Sequence, residues 1–303
     1  MKVNYLTRSL LYLPAHKEHL VENALKSGAD MLALDLEDSC QPLENKQLGR
    51  DTIVKFLKAG VLDGHKVFPR VNDRESGELL KDIYQLTLLG ITGFIYPKCT
   101  CGQDIYFIGK LLETIEYEKQ IPVGYFKLIP LIETTGAVAN INDVCESCPE
   151  RIIAVGFGAE DYMSDLGGRH NDGGESIFSA RAIIANAAKA HDIVPLDIVH
   201  MKVHDLDDLE REMNIARDLG YEGKMLVHPK EIPICHNCFS PSKEQVEWAE
   251  EVIFLCEEAQ REGRGVAYKN NKFIGPPMFK MAQDILEKHE LCKQSNIWQY
   301  NIA

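Results

Sequence analysis

No apolar run in this chain approaches the roughly 20 residues that a membrane-spanning helix needs. The N-terminus, Met1-Lys-Val-Asn-Tyr-Leu-Thr-Arg8, also lacks the hydrophobic core of a secretory signal. Positive charge is in short supply, with 33 Lys and Arg against 46 Asp and Glu and a net charge of −13. That balance argues against a nucleic-acid surface, although a local group of Arg and Lys could still hold a small anion. A cytoplasmic protein is expected, with neither membrane nor nucleic acid as a partner. There is no low-complexity linker, and no GxGxxG follows the first apolar run, so an open dinucleotide-binding sheet is disfavoured. The nine cysteines lack the even count and secretory context of a disulfide framework and read as reduced thiols. Cys145 with Cys148, and Cys235 with Cys238, have CxxC spacing, but the two pairs lie too far apart in sequence for a compact zinc module.

What the chain does have is a repeat. Short apolar runs recur at Ser9–Leu13, Met31–Leu36, Lys66–Val71, Gly93–Tyr96, Lys127–Ile132, Ile152–Phe157, Ile193–Val199 and Gly223–Val227. They start about 31 residues apart, the size of one βα unit. Helical spacing fills the intervals, as in Glu18–Leu25 and Leu206–Ala216. Gly90 and Gly220 fall where helices should stop before the fourth and eighth runs. Eight such units predict an α/β fold, a closed (β/α)8 TIM barrel over residues 1–240. Residues 241–303 read as a C-terminal helical extension, Glu244–Glu262 and Pro276–His289, joined by a polar, glycine-containing segment, Gly263–Gly275, read as a mobile flap.

The stretch Leu128-Ile-Pro-Leu-Ile-Glu133-Thr-Thr-Gly136 shows where chemistry would sit. A strand this apolar is buried on both faces, so only its end, with a carboxylate, two hydroxyls and a glycine, can meet a ligand. The next strand ends Gly158-Ala-Glu160-Asp161, which puts Asp161 28 residues after Glu133, about one repeat. Acids ending neighbouring parallel strands converge. Either they cap the helices that follow, or they take a hard divalent cation such as magnesium. Barrel chemistry occupies such ends. The other strands end in His16 and Lys17, in Glu37 and Asp38, in Arg70, in Lys98, in Asp197 and His200, and in His228. Acids from three neighbouring ends beside Arg70 form a charge cluster that needs a ligand or metal to balance it.

Further segments match a known pattern: Arg8-Ser-Leu-Leu-Tyr12-Leu-Pro14, Asp35-Leu-Glu37-Asp38-Ser39, Arg70-Val-Asn72, Pro97-Lys98, Leu131-Ile-Glu133-Thr134, Gly158-Ala-Glu160-Asp161-Tyr162, Asp165-Leu-Gly167, Pro195-Leu-Asp197 and Val227-His228-Pro229. Through them, from about residue 7 to residue 250, the chain resembles the HpcH/HpaI aldolase and citrate lyase beta-subunit family, on its CitE-like side, near malyl-CoA and citramalyl-CoA lyases. The resemblance implies a Mg2+-dependent carbon–carbon lyase that cleaves or condenses a short 3-hydroxy-dicarboxyl thioester. It implies Glu133 and Asp161 as metal ligands, Glu37 and Asp38 as partners of metal-bound water, and Arg70 as the carboxylate and enolate clamp. Arg8, Lys17 and Lys98 are candidates for contacts to coenzyme A or the thioester, and Gly158 and Ala159 for contacts to substrate. A homotrimer is expected by family analogy. A class II aldolase on free 2-oxo acids, or a catalytically altered homologue that binds 2-oxo acid and coenzyme A, is the alternative.

The chemistry calls for these types. Cleaving a Cα–Cβ bond beside a carbonyl leaves an enolate and a 2-oxo acid, and a magnesium ion can serve the oxo acid as Lewis acid and template. An arginine fork matches a carboxylate where a lysine does not. One departure stands out. The family usually carries a Met-Ile-Asp-x-Pro segment near its C-terminus whose Asp is thought to move the proton, and here Phe273-Ile-Gly275-Pro276-Pro277 puts a glycine in that place. Lys269, Lys272 and His228 are the substitutes at hand.

Overall fold

A computed structural model of the protein describes residues 3–171, 173–269 and 272–300. Seven short strands make one parallel sheet: β1 (Ser9–Pro14), β2 (Met31–Asp35), β3 (Gly93–Tyr96), β4 (Lys127–Ile132), β5 (Ala154–Phe157), β6 (Val194–Asp197) and β7 (Gly223–Leu226). Their spatial order is β2-β1-β7-β6-β5-β4-β3. The third predicted strand, residues 66–71, fills the gap between β2 and β3 through isolated parallel bridges, Leu32 with Val67, Asp35 with Arg70 and Arg70 with Ile95. Arg70 N donates to Leu34 O (3.0 Å), Val71 N donates to Ile95 O (3.1 Å), and Ile95 N donates to Pro69 O (2.9 Å). Pro69 has no N–H to give on the side facing β3, which removes one bond from that ladder. All eight expected strand positions are thus occupied, and the barrel is closed.

Burial on both faces explains the unbroken apolar runs: every residue of β2, β3, β5 and β7 is buried. Helices follow the strands, among them Glu18–Leu25, Glu44–Lys58, Gly102–Lys119, Glu175–Ala190 and Leu206–Asp218. The last of these ends as expected, with Gly220 at φ 98° turning the chain back toward β7.

The chain divides into two compact units, one built on Thr7–Cys238 and one on Asn4–Leu6 with the chain from Phe239 onward. In the second unit lie the helices Lys243–Arg261, begun by a Ser242–Gln245 capping box, and Pro276–Tyr300. The segment read as a mobile flap holds a hairpin, β8 (Ala267–Lys269) antiparallel to β9 (Lys272–Ile274). Ala267 and Ile274 pair across it and are buried with Ala249, Val252, Ala259 and Ala282, which anchors the hairpin to its own unit. Tyr268 and Phe273 face outward with ring centroids 6.1 Å apart. All nine cysteines are free thiols. No helix among the described residues is long and apolar enough to cross a membrane.

Candidate active site

The C-terminal ends of the barrel strands carry a cluster of charged side chains. Its centre is Arg70, on the closing segment. Its Nε and Nη2 donate to the two oxygens of Asp35 at 2.6 and 2.7 Å, so that edge of the fork is held by the end of β2. Nη1 lies 2.8 Å from Glu37 Oε2 and 3.2 Å from Asp38 Oδ2. The guanidinium also sits over the Tyr12 ring of β1, 5.4 Å from its centroid. Asp35 is fixed in turn by Ser39 Oγ (2.5 Å), Ser39 N and Glu37 N (2.9 Å each). Burial alone would raise the Asp35 carboxyl, but the charge and hydrogen bonds of Arg70, helped by Ser39 and Glu37 N, hold it below the ordinary aspartate value. Burial likewise works against the Arg70 cation, and Asp35 and Glu37 more than restore it.

Glu133 follows β4 and is 2% exposed, with Oε1 accepting the Lys98 backbone N–H at 2.7 Å. Burial first, then the charge of Glu37, with a further push from Asp161, raises its carboxyl to about 8. The Lys98 N–H and Arg70 only partly oppose this. A glycine at 158, where β5 ends, makes the room: a Cβ there would lie 2.5 Å from Glu133 Oε2. Asp161 stands exposed in the first turn of the helix Ala159–Leu166, beside Glu160. Glu37 is buried, and its carboxyl is raised by burial despite Arg70 and Lys98. Lys98 Nζ reaches Glu37 Oε1 at 2.5 Å.

The donor set suits magnesium. A buried carboxylate raised to about 8 must hold a proton or meet a cation at neutral pH, and the acids around it supply only more negative charge. Among the described residues no three His, Cys, Asp or Glu side chains form a ready metal cage. Glu133 and Asp161 are the carboxylates that could hold an ion at this end of the barrel, and magnesium is commonly bound through one or two carboxylates with water completing the shell.

The structure brings Glu37, Asp38, Arg70, Lys98 and Glu133 into one cluster with the charge of Asp161 in reach, Gly158 adjoins it at Glu133, and Ala159 follows as the first residue of the next helix. Lys17 is exposed after β1, at the same end of the barrel. Arg8 is not brought there. It precedes β1 at the opposite, N-terminal ends of the strands and is buried against Asp30, with Nε and Nη2 donating to the Asp30 oxygens at 2.9 and 2.8 Å. Asp197 is engaged elsewhere too, held by the Arg181 fork at 2.8 and 2.7 Å and by Lys224 Nζ at 2.9 Å, all in the buried layer between strands and helices. His228 Nδ1 accepts from Lys230 N (3.1 Å) and caps the turn after β7. Asp35 and Tyr12 are the parts of the site that sequence reasoning gave no role, although both lie within the matched motifs. The side chains of Lys269 and Lys272 lie outside the described part of the structure.

Against known proteins, the model of the HpcH/HpaI aldolase/citrate lyase family matches residues 8–229. The chain belongs to this family. Membership sets it among lyases, and the strand ends that carry the cluster all fall within the matched span. The citrate lyase subunit beta of Escherichia coli strain K12 is 29% identical over 284 residues, 94% of this chain and 93% of the relative. The mitochondrial citramalyl-CoA lyase of Homo sapiens is 30% identical over 288 residues, 91% of this chain and 84% of the relative. Among solved structures, CitE of Mycobacterium tuberculosis in complex with magnesium, acetoacetate and coenzyme A superposes with a TM-score of 0.73 at 23% identity. That match covers 95% of this chain and 100% of CitE and shows the shared fold.

Proposed function

We propose that the protein is a Mg2+-dependent carbon–carbon lyase that cleaves, or forms by condensation, a short 3-hydroxy-dicarboxyl-CoA thioester such as citramalyl-CoA, malyl-CoA or citryl-CoA. The observation that carries this reading is Glu133: a carboxyl 2% exposed, pushed to about 8, beside further acids and an arginine at the barrel mouth. The relatives' names and the CitE complex support the choice of chemistry. Magnesium, when bound, would act as a Lewis acid toward the carbonyl of the 2-oxo acid portion. Glu133 and Asp161 would hold it, and Glu37 and Asp38 would orient its waters. Arg70 keeps one edge on Asp35, so a substrate carboxylate or a developing enolate oxygen would meet it at Nη1, in place of the Glu37 and Asp38 oxygens that stand there. Such a donor steadies negative charge at the oxygen as the bond breaks. Gly158 lies against Glu133 and Ala159 opens the helix that follows, and both would border the substrate. Localisation in the cytoplasm, expected from the charge and the lack of long apolar runs, and assembly as a homotrimer, expected from the family resemblance, belong to the same reading.

Gly275 favours a second reading, a homologue that binds 2-oxo acid and coenzyme A but turns over slowly. A class II aldolase on free 2-oxo acids would share the metal site without the need for coenzyme A. Glu133→Ala and Asp161→Ala separate the metal from the fold. Both are expected to abolish Mg2+ binding by calorimetry and cleavage of citramalyl-CoA or malyl-CoA while leaving circular dichroism unchanged. Unchanged Mg2+ affinity in both variants would overturn the site assignment. Wild-type binding of Mg2+ and pyruvate without thioester cleavage would select the second reading.

A further inference from the structure

Lys98 follows β3 with a backbone that a lysine rarely adopts, φ 53°. Its N–H donates to Glu133 Oε1 (2.7 Å), and the left-handed turn at its Cα sends the side chain to Glu37 Oε1 (2.5 Å). Asp73 Oδ2 stands 3.9 Å from the same ammonium. One residue therefore grips two acids of the cluster, one by its main chain and the other by its side chain. An ammonium whose nearest partner is a carboxylate at 5% exposure is poorly placed to serve as a phosphate contact, because a phosphate would have to displace that partner.

We infer that Lys98 is a positioning residue that sets the distance between Glu37 and the metal-binding Glu133, and that it is not a contact for the coenzyme. The inference rests on the magnesium-lyase reading. In it, the strained backbone serves a purpose: φ sets the angle between the N–H and the side chain, so relaxing it to a negative value would swing the side chain off Glu37 while the N–H stayed on Glu133, and the link between the two carboxyls would break. The ammonium keeps Glu37 Oε1 occupied and leaves Glu37 Oε2 toward Arg70 Nη1, 2.8 Å away. Glu37 is thereby held between two cations, with one oxygen assigned to each. Removing the ammonium frees the Glu37 carboxyl to swing or to take a proton, but it leaves the N–H on Glu133 in place.

The test is Lys98→Met, which keeps the length of the chain and the backbone N–H, assayed in the full-length protein with Mg2+ and citramalyl-CoA. Loss of a partner that orients a metal site typically costs about 10–100-fold. The expected result is a fall of that size in kcat, with KM for the thioester within about twofold of wild type. Mg2+ affinity by calorimetry should also stay within about threefold, because the Glu133 contact is made by the backbone. Lys98→Arg should recover part of kcat, since it restores a cation in reach of Glu37. A rise of about tenfold or more in KM at unchanged kcat would overturn the inference and make Lys98 a coenzyme contact. Unchanged kcat would overturn it as well, and so would a loss of Mg2+ affinity in Lys98→Met as large as the loss in kcat. Lys98 is half-exposed, so Lys98→Met is expected to fold, and Lys98→Arg carries the test if it does not. A wild-type protein that binds no Mg2+ and cleaves no thioester would instead count against the lyase reading itself.

Discussion

Arg70 is the side chain at the centre of the charge cluster, and its partners decide what it can offer. Asp35 takes Nε and Nη2, Tyr12 lies under the plane, and Glu37 and Asp38 share Nη1. A guanidinium held on one edge is oriented before any ligand arrives, so little rotamer freedom is lost when it binds. Asp35→Asn keeps the shape but replaces a carboxylate by an amide that offers one acceptor and turns a donor toward the fork. The expected outcome is a fall in kcat/KM of tenfold or more, of order 1.5–3 kcal/mol for one charge-assisted hydrogen bond, with circular dichroism unchanged. Steady-state kinetics at saturating Mg2+ checks it, and wild-type kcat/KM in Asp35→Asn would show that Tyr12 and the backbone orient Arg70 unaided. The sequence places both residues at strand ends, but no motif states which of three nearby acids takes the fork. Residues 35 apart meet only when the barrel closes. The same blindness explains Arg8, whose place in a motif suggested an anion contact. Its position before β1 puts it instead at the far end of the strand, on Asp30.

At the scale of elements, the repeat of apolar runs was enough to read eight strand positions, because parallel strands buried on both faces leave an unmistakable pattern. The irregular one is the segment 66–71, which pairs by isolated bridges and lacks a donor at Pro69 on the side facing β3. The hairpin β8–β9 was harder to see. Its strands span three residues each, and the polar residues among them mask the buried pair Ala267–Ile274. Gly275 sits between β9 and the helix Pro276–Tyr300, and its carbonyl accepts from Met278 N (3.0 Å) and Phe279 N (3.2 Å). An aspartate there would occupy a capping position, which adds only a few tenths of a kcal/mol over glycine. A larger effect is expected in turnover. If the acid supplies the missing proton carrier, Gly275→Asp should raise the rate by about 10²–10⁴ with Mg2+ affinity unchanged. A new Cβ meets the Phe273 ring at 2.5 Å, and because Phe273 is exposed the ring can swing aside. Unaltered turnover in a folded Gly275→Asp would show that the proton travels by another group.

For the molecule as a whole, the cluster makes stability and metal binding respond to pH together. Glu133 rises from its ordinary 4.5 to about 8 in the folded, metal-free protein. Its contribution to stability is therefore full below about 4.5 and is lost as pH climbs through about 8, because folding there burdens the carboxylate with burial and like charges. On the proposed magnesium reading, Mg2+ would take the deprotonated form, so binding would release a proton and tighten over the same window. The gap in melting temperature with and without Mg2+ should widen between about pH 6 and about pH 9. Calorimetric scans across that range check it, and a constant gap would mean that Glu133 is already ionised without metal. The family, the barrel and the charge cluster were legible because each is written in short local motifs. The orientation of the cluster was not, because it depends on side chains that meet across the ring.

The closing of the barrel has one more consequence. Between β2 and β3 the ring is held by isolated bridges, two of them at Arg70 itself, and by the side-chain pair of Arg70 with Asp35. Active-site charges are commonly a burden on the fold, so that replacing one costs activity and returns stability. Arg70 is a keystone instead. A substitution there keeps the main-chain bridges but removes the side-chain pair with Asp35 across the seam, so on the proposed reading it would cost stability together with activity.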